Sequence, residues 1–407
     1  MRRREVVQAG LGTLLLGSGW AVRVQGASLQ RDRRLVVVFL RGAVDGLSVV
    51  VPHAESAYYR ARPRLALPGP NQAGGVLDLD GSFGLHPALA PLVPLWQAGS
   101  LAFVHACGSP DPGRSHFDAQ DYLESGTPGI KTTPDGWLNR LLAVLPMSGS
   151  PVQAVNFGET VPRILTGRMP VASLATGRRA TRRLPLDRPG VGSAFDALYS
   201  GSDALSRTYQ EGRSARRELL ESTGNPDETA MADNGAPASS AGFVGDASRL
   251  AGLMAHNPDV QLAFLALGGW DTHVNQARQL EKQLPPLAQG LAVLAQKLGP
   301  LYERTVILVV SEFGRTVREN GNGGTDHGHG NALWLMGGAV RGAKVYGQWP
   351  GLEESRLFEG RDLAVTTDFR EVVAAVLQQH LHLERPQLAK VLPGYTPANA
   401  LPGLIKV

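Results

Sequence analysis

The sequence predicts an α/β protein with a doubly wound, mostly parallel sheet and helices on both faces. Two observations carry that expectation. Segments 35–40, 101–105, 260–267 and 306–310 are apolar runs with little alternation, as in strands buried on both faces. Segments of helical composition lie between them, and strands alternating with helices build parallel sheets through crossover connections. The 407 residues suffice for one large domain or two ordinary ones. A composition 43% hydrophobic and 19% charged supplies an ordinary globular core.

Taken in order, residues 1–27 resemble an export signal. Arg2, Arg3 and Arg4 precede a short apolar stretch, and small residues follow at Gly26 and Ala27. The stretch is too short to span a bilayer in the usual way. The Arg3-Arg4-Glu5-Val6-Val7 core resembles a twin-arginine signal, which engages the export machinery for folded proteins. The expected product is periplasmic or secreted, with no stable membrane anchor after cleavage. Residues 28–407 are expected as a single domain with a variable, partly mobile insertion at about 158–240.

The run 35–40 ends in a turn-rich loop carrying Asp45. A helix is expected over 86–97 and a strand over 101–105. A Gly/Pro loop then leads to Ser115, a hydroxyl suited to cap a helix N-terminus. A short helix over 137–145 and strands over 152–157 and 171–174 follow. Segment 194–222 is mostly helical, and the small, polar segment 225–240 reads as a mobile loop. Beyond it come a helix over 244–255, a strand over 260–267 and a helical crossover broken at Pro285-Pro286. The strand 306–310 and a further strand over 332–336 complete the sheet. Asp368-Phe369-Arg370-Glu371 fits a capping box opening the last long helix.

Composition excludes some functions. The net charge is +4 and the isoelectric point about 9.3, yet the arginines are clustered locally. No basic stripe interleaves with aromatics, so nucleic-acid binding is not expected. The single cysteine, Cys107, rules out an internal disulfide and the Cys-rich zinc modules.

Side chains suited to chemistry fall where strands end. Asp45 follows the first strand; Ser115 and His116 follow the second. Asp271 and His273 follow the strand at 260–267. Glu312 follows the strand at 306–310, with Asp326, His327 and His329 on its loop. In a parallel sheet these junctions share one edge, where open α/β sheets build their sites. Carboxylates with imidazoles suit Zn²⁺, Mn²⁺ or Mg²⁺, one or two ions, and the histidines favour a transition metal. Each residue also has a plain structural role open to it. Asp45-Gly46 is a common turn pair, Ser115 a common cap, and His116 a ring that can support the loop. A carboxylate at the end of an apolar strand needs a cation or donors; Arg315, three residues after Glu312, is one such partner.

Five segments together, LRGAVDGLSVVVP, GRSHFDAQDYLESG, LGGWDTHVNQ, SEFGRTVRENGNGGTDHGHG and TTDFREVVAAVL, resemble an exported bacterial family of unknown function, number 1501, in the alkaline phosphatase/sulfatase superfamily. The resemblance runs from about residue 35 to the C-terminus and is weakest over 158–240. It implies an alkaline-phosphatase-like fold. It also implies metal ligation by Asp45, Asp271, His273, Glu312 and His327 or His329, with Ser115 in the place of the hydroxyl nucleophile. Two departures stand out. Glu312-Phe313 replaces the common Asp-His pair, and Ser115-His116-Phe117-Asp118-Ala119 lacks the C/S-x-P-x-R context of formylglycine sulfatases. The function expected is metal-assisted hydrolysis of a small anionic phosphate or sulfate ester. Asp326 would join the ligands, His116 would protonate the leaving group, and Arg114 or Arg315 would hold its oxygens. The competing expectations are an inactive periplasmic binding or assembly protein that retains the fold, and a purely structural metal site.

Overall fold

The computed structural model describes residues 32–148, 150, 152–177, 185–223, 240–398, 401 and 403–406. The expected export signal lies outside these residues. So does the expected loop at 225–240, apart from Ser240, which opens a helix.

The strands of the main sheet are β1 (Arg34–Leu40), β2 (Leu101–Gly108), β3 (Ala154–Phe157), β4 (Ala172–Leu174), β5 (Leu262–Leu267), β6 (Thr305–Val310), β7 (Asn331–Met336), β8 (Lys344–Tyr346) and β9 (Thr367–Asp368). Among the described residues they form one nine-stranded sheet, ordered β8-β2-β7-β6-β1-β5-β3-β4, with β9 paired to β2. Only β7 runs against the rest. The longer helices are α1 (His116–Ser125), α2 (Trp137–Val144), α3 (Pro189–Leu198), α4 (Ala204–Thr223), α5 (Ser240–His256), α6 (Gln276–Leu298), α7 (Phe369–Ala375) and α8 (Arg385–Val391).

Strand β1 shows why the sequence run is continuous. Val36, Val38 and Leu40 enter one core with Leu250 and Leu253 of α5 and Leu284, Leu287 and Leu291 of α6. Leu35, Val37 and Phe39 enter the opposite core with Leu138 and Leu141 of α2, Val372 of α7 and Val391 of α8. Successive side chains point to opposite faces, so every position must be apolar when both faces are covered.

This topology gathers the site. Phe39 pairs with Val310, and Leu40 with Leu267, so β1, β5 and β6 end side by side. The reversed strand β7 starts at that same edge, with Asn331 opposite Cys107 near the end of β2. The loop between β6 and β7 therefore enters and leaves at the edge where the parallel strands end.

Three local expectations change. The segment 86–97 is a 3₁₀ stretch, Pro87–Leu92, followed by a short α-helix, Val93–Gln97, because Pro91 and Pro94 remove backbone donors. The segment 194–222 is mostly helical, as expected, and is divided between α3 and α4. Helix α6 runs unbroken through Pro285 and Pro286, with Leu284, Leu287 and Leu291 fully buried on either side of the prolines. Packing of that stripe offsets the missing hydrogen bonds. Asp368 caps α7 by accepting from the Arg370 amide, but Glu371 turns instead toward the Tyr395 hydroxyl and the Ala398 amide.

One buried histidine gives the fold a pH dependence. His105 lies in β2 with Nδ1 accepting from the Ala106 amide (3.0 Å) and Nε2 donating to the Val50 carbonyl (2.9 Å). A second ring proton would displace the Ala106 donor, and burial pushes the imidazole down to about 4 from its ordinary 6.5. The unfolded chain takes up this proton first. The stabilising contribution is therefore full above about pH 6.5 and shrinks as pH falls toward 4. Buried His86 and His380 act in the same direction, also near 4. Urea unfolding across this window is expected to show falling stability with decreasing pH; a flat profile would contradict the buried neutral imidazoles.

Candidate metal centre

The floor of the site is the turn after β1. Gly42 has φ +114°, and a Cβ there would sit 2.7 Å from the Asp271 amide nitrogen, so only glycine fits. Its N–H donates to Glu312 Oε1 at 2.8 Å, and its carbonyl accepts from Arg315 Nη2 at 2.7 Å. From the other side comes α1, whose first residue is His116.

Three side chains, one from the start of α1 and two from loops, meet here. His116, Asp271 and His327 each offer one ligand atom, and these atoms all lie within 4.8 Å of one another. Asp271 Oδ1 is 3.5 Å from His116 Nε2 and 3.2 Å from His327 Nε2. His273 adjoins them, its Nε2 3.0 Å from both Asp271 Oδ1 and His327 Nε2. His116 Nε2 is buried and has no hydrogen-bond partner. A buried ring nitrogen without a partner is costly. Aimed at a carboxylate and a second imidazole, it fits a divalent cation. Tetrahedral bonds of the length zinc makes to nitrogen and oxygen put neighbouring ligand atoms about 3.3 Å apart, close to the separations from Asp271.

The charges are arranged around this point. The hydrogen bond to Glu312 raises the pKa of His116, against an opposing effect of burial, and the charges of Glu312 and Asp271 add to the rise. Burial works against ionised Glu312, but hydrogen bonds from His116, Gln120 and Gly42 outweigh it and hold the carboxyl below its ordinary range. Asp271 is likewise held low, against burial, chiefly by Arg315. The hydrogen bond from His273 lowers Asp326. His327 is lowered, first by burial and then by the neighbouring His116 and Arg315 charges.

Of the sequence-predicted residues, His116, Asp271, His273, Glu312, Asp326 and His327 come together. Asp326 Oδ1 lies 2.9 Å from His273 Nδ1, and Glu312 Oε1 lies 2.9 Å from His116 Nδ1. Asp45 sits elsewhere. Its carboxylate is fully buried and forms a two-point ion pair with Arg62 (2.5 and 3.0 Å), with further bonds from Ser48 and Gln276 (both 2.6 Å). His329 is buried and stacks on Phe358, ring centroids 4.6 Å apart. Arg315 does not partner Glu312. It is buried, and its donors go to the carbonyls of Gly42, Ala43, Trp270 and Thr325 and to Asp271. Arg114 pairs with Asp362 and Glu359. Ser115 is exposed, its Oγ 3.5 Å from the Asp118 amide as a weak cap.

Sequence reading missed Gln120 and Gln276. Gln120 donates to Glu312 Oε1 at 2.8 Å. Its spacing of four from His116 puts both on one helix face, a signal present in the sequence. Gln276 donates to Asp45 and accepts from Thr272 and Thr325, tying three loops beneath the cluster. Nothing in its spacing marks it.

Residues 32–392 match the family described as "Protein of unknown function (DUF1501)". The chain belongs to this DUF1501 family. No protein of curated function matches the DUF1501 chain. Among solved structures it is similar to the C-terminal periplasmic domain of EcEptC from Escherichia coli. That likeness has 10% identity, covers 90% of this chain and 88% of that one, and has a TM-score of 0.39. It is similar to a protein in the alkaline phosphatase superfamily from Vibrio parahaemolyticus, at 11% identity, 77% and 62% coverage and a TM-score of 0.39. A putative sulfatase from Bacteroides thetaiotaomicron is also similar, at 10% identity, 91% and 76% coverage and a TM-score of 0.40. Among the described residues no helix is long and apolar enough to cross a membrane.

Proposed function

We propose that this DUF1501 chain is an exported, metal-dependent hydrolase of small phosphate or sulfate esters. The observation that carries the reading is the buried Nε2 of His116, which makes no hydrogen bond and is turned toward Asp271 and His327. His116, Asp271 and His327 would hold the ion, with His273 beside them. A divalent ion bound there would neutralise ester oxygens and lower the pKa of an attacking hydroxyl or water. His116 then serves as a ligand in place of the leaving-group acid expected from sequence. Ser115 stays the candidate nucleophile and Arg114 the candidate oxyanion partner. Arg315, fully engaged by backbone carbonyls and Asp271, is a scaffold in this reading. Export through the twin-arginine route places the protein in the periplasm or outside the cell.

Ser115 favours a second reading, an inactive binding or assembly protein that keeps the metal site. Among the described residues no imidazole or carboxylate hydrogen-bonds its hydroxyl, whose one bond is the helix cap, and a serine nucleophile needs such activation. The two readings separate in one experiment on mature protein from the periplasmic fraction. Elemental analysis is expected to find near-stoichiometric divalent metal in the parent. The His327→Ala variant should bind it more than about 100-fold more weakly, beyond the effect typical of a residue acting through a ligand. Turnover of a phosphate monoester, phosphodiester or sulfate ester by the parent, lost in Ser115→Ala, supports the hydrolase. Metal without turnover supports the binding protein. No metal in the parent removes the hydrolase and leaves a binding or assembly protein that keeps the fold alone.

A further inference from the structure

Glu312 is a buried carboxylate at the centre of the site, and its two oxygens are already engaged. Oε1 receives the Gly42 amide (2.8 Å), Gln120 Nε2 (2.8 Å) and His116 Nδ1 (2.9 Å). Oε2 faces the Ser311 hydroxyl at 3.1 Å. With Oε1 already accepting from the Gly42 and Gln120 N–H groups, which can only donate, the proton between it and His116 sits on the ring. That fixes His116 with Nδ1 protonated and turns the lone pair of Nε2 inward, on the atom that makes no hydrogen bond. The same pattern recurs twice. His273 Nδ1 faces Asp326 Oδ1, and His327 Nδ1 faces the Arg114 carbonyl at 2.9 Å. Both rings are thereby left with Nε2 toward Asp271 Oδ1, at 3.0 and 3.2 Å.

We infer that Glu312 is a positioning residue that acts on the metal site through His116 rather than by binding the ion. The inference rests on the metal-binding reading above. It makes the donor set rich in imidazole nitrogen, which suits zinc or cobalt and disfavours magnesium. Carboxylate partners of ligating imidazoles hold the ring and its tautomer and raise its basicity.

The test uses the mature full-length chain stripped of metal. Zinc affinity is measured by chelator competition, cobalt binding by visible absorption, and apo stability by urea unfolding. The glutamine of Glu312→Gln can accept the same three hydrogen bonds at one oxygen and changes the charge. Zinc affinity is expected to fall roughly 10–100-fold, while the cobalt spectrum keeps its shape. A changed cobalt spectrum would make Glu312 a direct ligand and overturn the inference. Zinc affinity within twofold of the parent would make Glu312 merely structural and overturn it as well. A parent that binds neither ion defeats the underlying metal reading instead, which is a different result from a parent that binds and a variant that binds equally. Nitrogen NMR of the zinc-loaded parent, labelled at histidine, does not depend on the variant folding. It is expected to find the His116 proton on Nδ1; a proton on Nε2 would refute the assignment.

Discussion

Asp45→Asn is expected to destabilise the fold by about 3–5 kcal/mol, the usual cost of breaking a buried ion pair from one side, while zinc affinity of the folded fraction stays near that of the parent. Asp45 and Arg62 have fully buried side chains. Removing the carboxylate charge leaves the Arg62 guanidinium facing the Val317 and Thr316 carbonyls, Ser48, the Tyr58 ring and a neutral amide, with no anion against it. Urea unfolding checks the magnitude. A double variant, Asp45→Leu with Arg62→Met, should recover part of the loss, since no unpaired charge remains buried. The pH dependence has a definite sign. Burial opposes ionised Asp45, but the Arg62 charge and the hydrogen bonds from Arg62, Ser48 and Gln276 hold its pKa below the ordinary 3.8. Its contribution is therefore present above that value and lost as pH falls through the lower folded value, and Asp45→Asn should flatten this acid limb. If Asp45→Asn instead abolished metal binding without loss of stability, Asp45 would be a ligand and the buried pair incidental.

The residues around Asp45 show what the sequence could and could not reveal. Strands β1, β2, β5 and β6 were legible because burial on both faces demands unbroken apolar runs. The reversal of β7 was not, since Asn331–Met336 is fully buried and its composition is the same in either direction. The strand-end placement of His116, Asp271, His273, Glu312, Asp326 and His327 followed from topology alone. Which of these residues touch was invisible, because contact depends on loop paths. His327 and His329 are two residues apart, yet one joins the cluster and the other stacks on Phe358. Gly328 between them passes so close to Arg315 that a Cβ would lie 2.4 Å from its carbonyl carbon. Asp45 looked like a ligand because its partner, Arg62, lies 17 residues on with no periodic relation to it. Arg315 looked like a partner for Glu312 because the two are close in sequence. The fold instead satisfies Glu312 with neutral donors and His116, and sends Arg315 the other way.

That path makes Arg315 the second large expected effect. Its Nε donates to Ala43 O (2.8 Å), Nη1 to Thr325 O (3.0 Å), and Nη2 to Gly42 O (2.7 Å), Trp270 O (3.1 Å) and Asp271 Oδ1. One planar fork thus joins the loop after β1, the loop after β5 and the loop between β6 and β7, and it anchors the carboxylate on which the imidazoles converge. A lysine offers three donors from a single nitrogen and cannot span these acceptors. Arg315→Lys would leave at least two buried oxygens unsatisfied, at about 1–3 kcal/mol each, so a loss of roughly 3–5 kcal/mol in urea unfolding is expected. Arg315→Met should cost more, since it strips every donor and the charge beside Asp271. The two effects are coupled: with Asp271 released, zinc affinity should fall in the fraction that remains folded. This separates Arg315 from Asp45, whose replacement reduces stability and spares the metal. Stability within about 1 kcal/mol of the parent for Arg315→Lys, less than one unsatisfied buried oxygen costs, or a zinc affinity that does not move, would mean that the three loops hold their geometry without the fork. Asp271 would then owe its position to the backbone turn after β5 alone.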